Sequence, residues 1–334
     1  MMFDTLTNRR SFLLGSSALG ALAWAPSLAW ANAPQPLRLA SVKFGSLSWL
    51  IETIKAEQLD AKHGLALDIV EIATNQTSAV ALYGGNADMV VSDWTWALRQ
   101  RAMGESLKFA PFSSALGAIM VADGSSIKTL ADLEGKKLGV AGSALDKSWL
   151  LLRAYSEKVL GKDIAKIAEP QFGAAPLLNE QLRDGKLDAV LNFWTFAARL
   201  KGNGFRPILS MSEVMQQLGI DPAPALVGYI WKEGSGIETN GTVAKWLAAA
   251  EDGNAILAKS DEAWIRLKPI MKVANDAEFE ALKAGYRIGI PGPWRDAEMK
   301  SAEKIMGFLV EAGDKDLVGN GTRFDSKLFH APGA

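Results

Sequence analysis

Short apolar runs alternate with longer amphipathic stretches along most of this chain. The apolar runs predict buried strands, and the stretches between them place apolar residues three and four positions apart, which predicts helices. The connections between them are short and contain Gly, Asn and Asp. Such an alternation indicates mostly parallel sheets covered by helices, so we expect an α/β fold.

The pattern divides into two similar units. The first has predicted strands at 37–42, 66–72, 88–91 and 107–112 and helices at 47–62, 77–83 and 94–103, and an apolar run at 115–121 leads away from it. The second has predicted strands at 137–141, 165–171, 187–191 and 206–210 and helices at 130–133, 145–159 and 176–183. A linker candidate at 222–225 is followed by a strand at 226–231 and helices at 243–257, 262–268, 276–284 and 296–311.

One segment occurs in both units at matching places. Residues 83–90 resemble residues 183–190: a helix ends near a glycine, a turn follows, and Asp88 or Asp188 opens an apolar strand. The glycines suit left-handed helix ends. The match predicts two similar lobes, each with a crevice at the carboxyl ends of its strands.

The N-terminus has the pattern of an export signal. Arg9 and Arg10 precede an uncharged run from 15 to 31, which ends in the small-x-small site Ala29-Trp30-Ala31. The run is short and rich in Gly, Ala and Ser, which favours a cleaved signal over the alternative of an uncleaved anchor. We expect a twin-arginine signal peptide at 1–31 and a periplasmic protein.

Composition excludes several classes of function. The formal net charge is −1, and such a balanced chain lacks the excess of Lys and Arg that nucleic-acid binding needs. There is no cysteine, and His63 and His330 are the only histidines, so thiol chemistry, a His-based metal site and a catalytic triad have no support. We expect no metal, no cofactor and no catalytic residue. Tryptophan is unusually frequent, with eleven residues. Several lie near predicted strand ends, which favours a role in the walls of a pocket over a role in the core.

The candidate ligand-binding residues follow the predicted strands, where open parallel sheets bind ligands near helix N-termini. Their hydroxyl, amide, backbone N–H and aromatic groups suit a small anionic or strongly polar ligand with a flat or apolar body. The alternative is that Ser46, Thr77, Ser92 and Ser143 only cap helices and that Trp94 and Trp194 are core. The candidates are Phe44, Gly45, Ser46, Trp49, Asn75, Gln76, Ser92, Asp93, Trp94, Ser143, Asp146, Lys147, Asn192, Trp194 and Thr195.

Motifs of the common enzyme and nucleotide-binding sites are absent from the sequence. It contains no Gly-x-Ser-x-Gly, no Gly-x-Gly-x-x-Gly and no Gly-x-x-x-x-Gly-Lys-Ser/Thr. Asp93 and Asp146 could form a carboxylate pair, but their spacing does not show that they meet. Capping and ligand hydrogen bonding remain the simpler roles for both.

Four segments together resemble the type II periplasmic substrate-binding proteins of ABC transporters, the group that includes binders of aliphatic sulfonates, taurine, nitrate and pyrimidine precursors. They are 39–49, 84–88, 130–140 and 185–194, of which 130–140 is the most specific. The resemblance implies two lobes joined by a two-stranded hinge, with lobe 1 at 32–118 and 226–334 and lobe 2 at 119–225. Among the candidates, it carries over Ser46, Gln76, Ser92, Ser143 and Trp194 as ligand contacts.

The implied function is solute capture by closure of the two lobes, followed by delivery to the permease and ATPase subunits of an importer. The chain is then a monomer and not an enzyme, and its ligand is a sulfonate, a pyrimidine, another anionic or aromatic molecule, or a metal chelate. An enzyme on the same fold, acting on a small heterocyclic or anionic substrate, is the alternative. Taurine-like binders have Trp-Asp-Pro where this chain has Trp194-Thr195-Phe196, so that carboxylate is missing, and Lys43 and Lys147 are the cationic candidates.

Overall fold

The computed structural model describes residues 33–42, 45–72, 77–292, 294–312 and 323–330, and it contains two five-stranded sheets. The first sheet has the order β2-β1-β3-β10-β4. Its strands are β1 (Gln35–Val42), β2 (Leu65–Ile72), β3 (Met89–Asp93), β4 (Leu107–Ser113) and β10 (Val227–Lys232). The signal-peptide prediction at 1–31 lies outside the described residues.

The second sheet has the order β7-β6-β8-β5-β9. Its strands are β5 (Ala118–Ala122), β6 (Lys137–Ala141), β7 (Glu169–Gly173), β8 (Ala189–Asn192) and β9 (Phe205–Ser210). We refer to the first sheet and the helices between its strands as lobe 1, and to the second sheet with its helices as lobe 2.

The two sheets share one topology. In each sheet, three parallel strands are followed by one antiparallel strand, and a fifth strand lies at the edge beyond it. The edge strands are β4 in the first sheet and β9 in the second. The antiparallel strands are β5, which enters lobe 2 from lobe 1, and β10, which returns from lobe 2. The chain therefore crosses between the lobes twice, and the expected two-lobed fold with mostly parallel sheets is confirmed. The chain ranges proposed for the lobes stay a prediction.

Helices cover both sheets. Lobe 1 contains α1 (Leu47–Ala56), α2 (Leu59–Lys62), α3 (Ser78–Tyr83) and α4 (Trp94–Ala102). Lobe 2 contains α5 (Lys147–Leu160), α6 (Ile164–Ile167), α7 (Ala175–Arg183), α8 (Trp194–Lys201) and α9 (Met211–Gln217). After β10 come α10 (Gly236–Thr239), α11 (Thr242–Lys259), α12 (Asp261–Met271), α13 (Asp276–Ile288) and α14 (Asp296–Ala312). Among the described residues, no helix has both the length and the apolar character needed to cross a membrane.

The repeated turn recognised in the sequence has the same bonding in both lobes. The Asp88 carboxylate accepts from the Arg38 N–H at 3.0 Å, and the Asp88 N–H donates to the Arg38 carbonyl at 2.8 Å. The Asp188 carboxylate accepts from the Lys137 N–H at 2.8 Å, and the Asp188 N–H donates to the Lys137 carbonyl at 3.0 Å. Each aspartate thus joins the start of the third strand of its sheet to the start of the first.

The core is continuous between the lobes. One buried cluster contains Trp94 and Phe109 of lobe 1, Trp149 of lobe 2 and Ile305 of α14. Helices α13 and α14 pack on α8 and α5 of lobe 2, while α11 and α12 pack on α1 of lobe 1, so the C-terminal helices contact both lobes. A second cluster, which includes Trp49, Trp246 and Trp264, fills the other side of lobe 1.

Several predicted elements need correction. The helix expected at 47–62 is two helices, because Gln58 adopts a left-handed backbone with φ 54° between α1 and α2. The strand expected at 165–171 begins as helix α6, capped by the Asp163 carboxylate, and becomes strand β7 only at Glu169. Helices α8, α9 and α10 were not predicted, although Ser210 and Glu213 form a capping box at the start of α9.

The expectation that tryptophans line pocket walls is wrong for most of the described rings. Six tryptophans are buried core residues, namely Trp49, Trp94, Trp149, Trp231, Trp246 and Trp264. Tryptophan offers the largest apolar surface of any side chain, so a two-lobed protein of this size uses it for packing as readily as for binding.

Candidate functional site

Strand register places the polar loops of each lobe along one edge of its sheet. In lobe 1, Val227 at the start of β10 pairs with Asp93 and Ser113 at the ends of β3 and β4. In lobe 2, Ala118 at the start of β5 pairs with Asn192 and Ser210 at the ends of β8 and β9. This is the edge at which ligands bind in open α/β sheets.

An ion pair joins the lobes where the two edges meet, and we call this junction the gap. Lys147 Nζ lies 3.1 Å from Asp93 Oδ2. Asp93 ends β3 and is the N-cap of α4, and Lys147 is the first residue of α5. Both side chains are largely shielded, with exposures of 22% for Asp93 and 21% for Lys147. The structure therefore brings together two candidates that come from different lobes.

Asp93 is held as a carboxylate by several donors. Its Oδ1 accepts from the Trp96 N–H at 2.8 Å and from the Thr95 hydroxyl. Burial alone would raise the pKa of Asp93, but the Lys147 ammonium, the Thr95 hydroxyl and the Trp96 N–H hold that pKa below its usual value. The group is a charged acceptor at neutral pH.

Asp146 is the second carboxylate at the gap. It caps α5, accepting from the Ser148 N–H at 2.9 Å and the Trp149 N–H at 3.4 Å. Burial raises the pKa of Asp146, and the charge of Asp93 raises it further, while Lys147 and the two N–H donors oppose the shift. No hydrogen bond or ion pair joins Asp146 to Asp93 among the described residues, so the structure does not make them a carboxylate pair.

Aromatic side chains also meet across the gap. Trp194, the first residue of α8, contacts Trp49 of α1 edge to face, with ring centroids 5.9 Å apart and an interplanar angle of 89°. Tyr286 of α13 lies 6.5 Å from the Trp194 ring. Gly285 gives this ring room, because a Cβ there would come within 3.0 Å of two Trp194 ring atoms.

A buried polar contact links α8 to α13 beside these rings. The Glu278 side chain is only 3% exposed; it pairs with the Arg199 guanidinium and accepts from the Asn203 amide at 3.0 Å. Sequence reasoning missed Arg199, Glu278, Gly285 and Tyr286, all of which lie on helices outside the loops considered. The glycine within the helical pattern of α13 was the one available signal, because an interior helix glycine suggests a close approach.

The remaining predicted site residues differ in their surroundings. Gly45 and Ser46 precede α1, and Ser46 is buried without a capping hydrogen bond from its side chain. Ser92 and Thr195 are half-buried beside Asp93 and Trp194, and Ser143 is exposed, its hydroxyl accepting from the Leu145 N–H at 3.2 Å. Four predicted contacts lie outside the described residues, namely Lys43, Phe44, Asn75 and Gln76.

Two candidates serve the interior of their own lobes. Asn192 is buried and donates from its amide to the Ala175 carbonyl at 2.9 Å and to Asn179 Oδ1 at 2.8 Å, which ties β8 to α7. Trp94 is fully buried and packs edge to face on Phe329, so its ring belongs to the core. Both follow strands, where sequence alone cannot separate a loop side chain that faces the gap from one that faces inward.

The histidines and the described cavities lie elsewhere. His63 Nε2 is 2.8 Å from Asp252, and His330 stacks edge-on with Trp231. Within the part of the chain that the structure describes, no group of three or more His, Asp or Glu side chains is arranged to hold a metal ion. A groove of about 450 Å³ is lined by residues of α2 and α11, including Leu59 and Asp252, and contains none of the predicted site residues.

Comparison with known proteins gives one family and one fold. The family model described as NMT1/THI5 like matches residues 61–259, more than half of the chain. No curated protein matches the sequence significantly. The aliphatic sulphonate binding protein SsuA from Escherichia coli is 20% identical, with a TM-score of 0.66 over 84% of this chain and 88% of that one.

Two further solved structures are similar. The alkanesulfonate-binding protein SsuA from Xanthomonas axonopodis pv. citri, bound to MOPS, is 16% identical, with a TM-score of 0.66 over 90% of this chain and 99% of that one. The desulfurization enzyme DSZB is also 16% identical, with a TM-score of 0.57 over 83% of this chain and 92% of that one. At such identities the likeness shows a shared fold.

Proposed function

Because the chain belongs to the NMT1/THI5-like family, we propose that it is the extracytoplasmic solute-binding component of an ABC importer. It captures a small organic ligand between its lobes by closing them, and it delivers that ligand to membrane permease and ATPase subunits. The sulfonate-binding proteins that share its fold support this role.

The contact of the two polar edges is the observation that carries the proposal. Asp93 and Lys147 pair across the gap, and Trp49 meets Trp194 there. A ligand placed between the lobes would replace these contacts with its own and would touch both lobes at once. Closure is then favoured by interactions that exist only when both lobes bind the ligand.

An enzyme on the same fold is the less favoured alternative, although DSZB shows that the fold admits one. The sequence has no cysteine, and its two histidines pack beside Asp252 and Trp231. Among the described loop residues 45–49, 92–95, 142–148 and 192–195, the acidic and basic side chains available for catalysis are Asp93, Asp146 and Lys147. Binding of a ligand needs only that these groups form hydrogen bonds or ion pairs with it.

The proposal includes the route by which the protein reaches its partners. Arg9-Arg10 and the run that ends at Ala31 support export through the twin-arginine pathway into the periplasm. A monomer suits this role, because the lobe surfaces must be free to meet the permease.

Tryptophan fluorescence tests the proposal directly, because Trp49 and Trp194 report contact between the lobes. The purified protein is titrated with sulfonates, pyrimidines, carboxylates, amines and aromatic solutes, and we expect one class to change the emission and raise the melting temperature. Calorimetry of a Trp194→Phe variant provides the control: it should still bind that solute, with a smaller spectral change. A protein that responds to none of these solutes by any of the three measurements is not a solute-binding protein of the proposed kind.

A further inference from the structure

Two exposed phenylalanines lie at the carboxyl edge of the lobe 2 sheet. Phe172, near the end of β7, is 41% exposed, and Phe193, directly after β8, is 42% exposed. Every other aromatic side chain in the described part of the chain is buried or half-buried. The Phe172 ring packs edge to face on the buried Trp149, with ring centroids 5.8 Å apart, so the core holds one side of it. The aromatic surface left to water is therefore concentrated at this one edge.

The strand register places a third apolar side chain between these two rings. Strand β6 lies between β7 and β8, and its Val140 pairs with Phe172 on one side and with Leu191 on the other. Phe172 and Phe193 are thus two strand spacings apart across the sheet, about 10 Å. Leu145, which is 37% exposed, lies in the loop that leaves β6 between them. We call Leu145, Phe172 and Phe193 together the apolar shelf.

Continuity with the contact between the lobes indicates what covers the apolar shelf. Leu145 lies two residues before Lys147, which pairs with lobe 1, and Phe193 directly precedes Trp194, whose ring contacts lobe 1. The carboxyl edge of the sheet is also where open α/β folds bind their ligands. The shelf therefore borders the gap on the lobe 2 side.

We propose that the apolar shelf binds the carbon body of the ligand, so that the ligand is an amphiphilic molecule with an alkyl chain or ring attached to its polar group. This inference rests on the proposed function and deepens it. Contiguous exposed apolar surface marks a binding site, whereas apolar side chains scattered singly do not. The tryptophans expected to form pocket walls are mostly core, and this wall consists of phenylalanine and leucine instead.

Closure of the lobes explains why such a ligand is favoured. A carbon body lying on the shelf would be covered by lobe 1, and both apolar surfaces would leave water together. The resulting gain in affinity is roughly proportional to the apolar area, and each buried methylene raises affinity about fourfold. An inorganic ion or a compact polar solute would leave the shelf uncovered.

Homologous solutes test the inference. The purified protein is titrated by calorimetry with unbranched sulfonates, carboxylates and ammonium compounds from ethyl to heptyl. We expect one class of head group to bind, with an affinity that rises about fourfold for each added methylene. A class whose ethyl member binds as tightly as its heptyl member would leave the importer function intact and overturn the inference. Absence of binding by every class would overturn the inference and the proposed function together.

Shelf variants then locate the contact. Phe193→Ser and Leu145→Ser remove exposed apolar surface, and Ser is a better N-cap for α8 than Phe, so both variants should fold. Each should weaken binding of the heptyl solute about tenfold and change that of the ethyl solute little. Ile265→Ser is the matched control, because Ile265 on α12 is 60% exposed, and it should change neither affinity. Shelf variants that bind every solute as tightly as the unaltered protein would assign the shelf to a protein partner such as the permease and overturn the inference.

Discussion

Four aspartates in the turns and helix caps next to the strands form hydrogen bonds that hold the two lobes. Asp88 and Asp188 brace the two sheets, and Asp93 and Asp146 cap the helices that face the gap. All four are short carboxylates that accept backbone N–H groups, and Asp93 in addition forms an ion pair with Lys147 of the other lobe. An aspartate before the start of a strand thus stabilises its own lobe, whereas Asp93 at the end of β3 takes part in the contact between lobes.

His330 should make stability depend on pH. Burial against Trp231 lowers the pKa of His330 below its usual 6.5, so protonation favours the unfolded chain. The stabilising contribution is fully present above about pH 6.5 and is lost as the pH falls through the range between 6.5 and the folded pKa. Urea denaturation across this range should show a slope that His330→Gln reduces. An unchanged slope in the variant would mean that the histidine is solvated.

Gly285 should be required for the position of Trp194. In Gly285→Ala the new Cβ would come within 3.0 Å of the indole ring, so the ring must shift. We expect altered tryptophan emission with a small change in the free energy of unfolding, because the gain of about 1 kcal/mol in helix propensity offsets the crowding. Gly307→Ala in α14 is the control, since a Cβ there meets nothing within 4 Å, and it should stabilise without a spectral change. Identical behaviour of the two variants would contradict this account.

At the scale of elements, an aspartate in the same turn of each lobe connects the first and third parallel strands by hydrogen bonds. The aspartate of lobe 1 forms more of these bonds than the aspartate of lobe 2. The Arg38 guanidinium also donates to Asp88, at 2.6 Å and 3.1 Å, whereas Asp188 accepts the Lys137 backbone N–H. The pKa of Asp88 is accordingly lowered: its burial acts against the shift, and the bonds from Arg38 outweigh it.

Replacing these aspartates by alanine should give unequal losses of stability. Each variant leaves a strand N–H without its acceptor, and Asp88→Ala also leaves the Arg38 guanidinium without its partner. We expect the free energy of unfolding to fall by about 2 kcal/mol for Asp88→Ala and about 1 kcal/mol for Asp188→Ala, as measured in urea. A larger loss from Asp188→Ala would show that the guanidinium pair contributes nothing.

At the scale of the whole molecule, the two lobes share their interior. The cluster that contains Trp94, Trp149 and Ile305 runs from lobe 1 through α14 into lobe 2. A two-lobed shape suggests two folding units, but a shared core makes the unfolding of one lobe expose the packing surface of the other. Calorimetry should therefore show a single transition, with a ratio of calorimetric to van't Hoff enthalpy of about 1. Two resolved transitions would mean that the contacts between lobes are weak.

Local sequence patterns were sufficient to predict the fold. They were not sufficient to predict which residues of the two lobes are in contact. The turn at Asp88 was recognisable because its glycine, aspartate and apolar strand are adjacent in sequence. Helix α8 was missed because its short run of aromatic and apolar residues has no clear period and no capping side chain. The pairing of Asp93 with Lys147 joins residues far apart in sequence, and only the packing of the lobes determines it.

The packing of α14 on α5 determines whether lobe 2 can fold when it is separated from the rest of the chain. Residues 114–226 form a contiguous stretch that includes the whole second sheet, and a gene fragment for it would look complete. Without α14, however, the fragment loses the buried side chains of Ala302, Ile305, Met306 and Leu309, and its α5 surface meets water. We expect that fragment to aggregate when expressed alone, and a synthetic peptide of residues 294–312 to restore its solubility in a sedimentation assay.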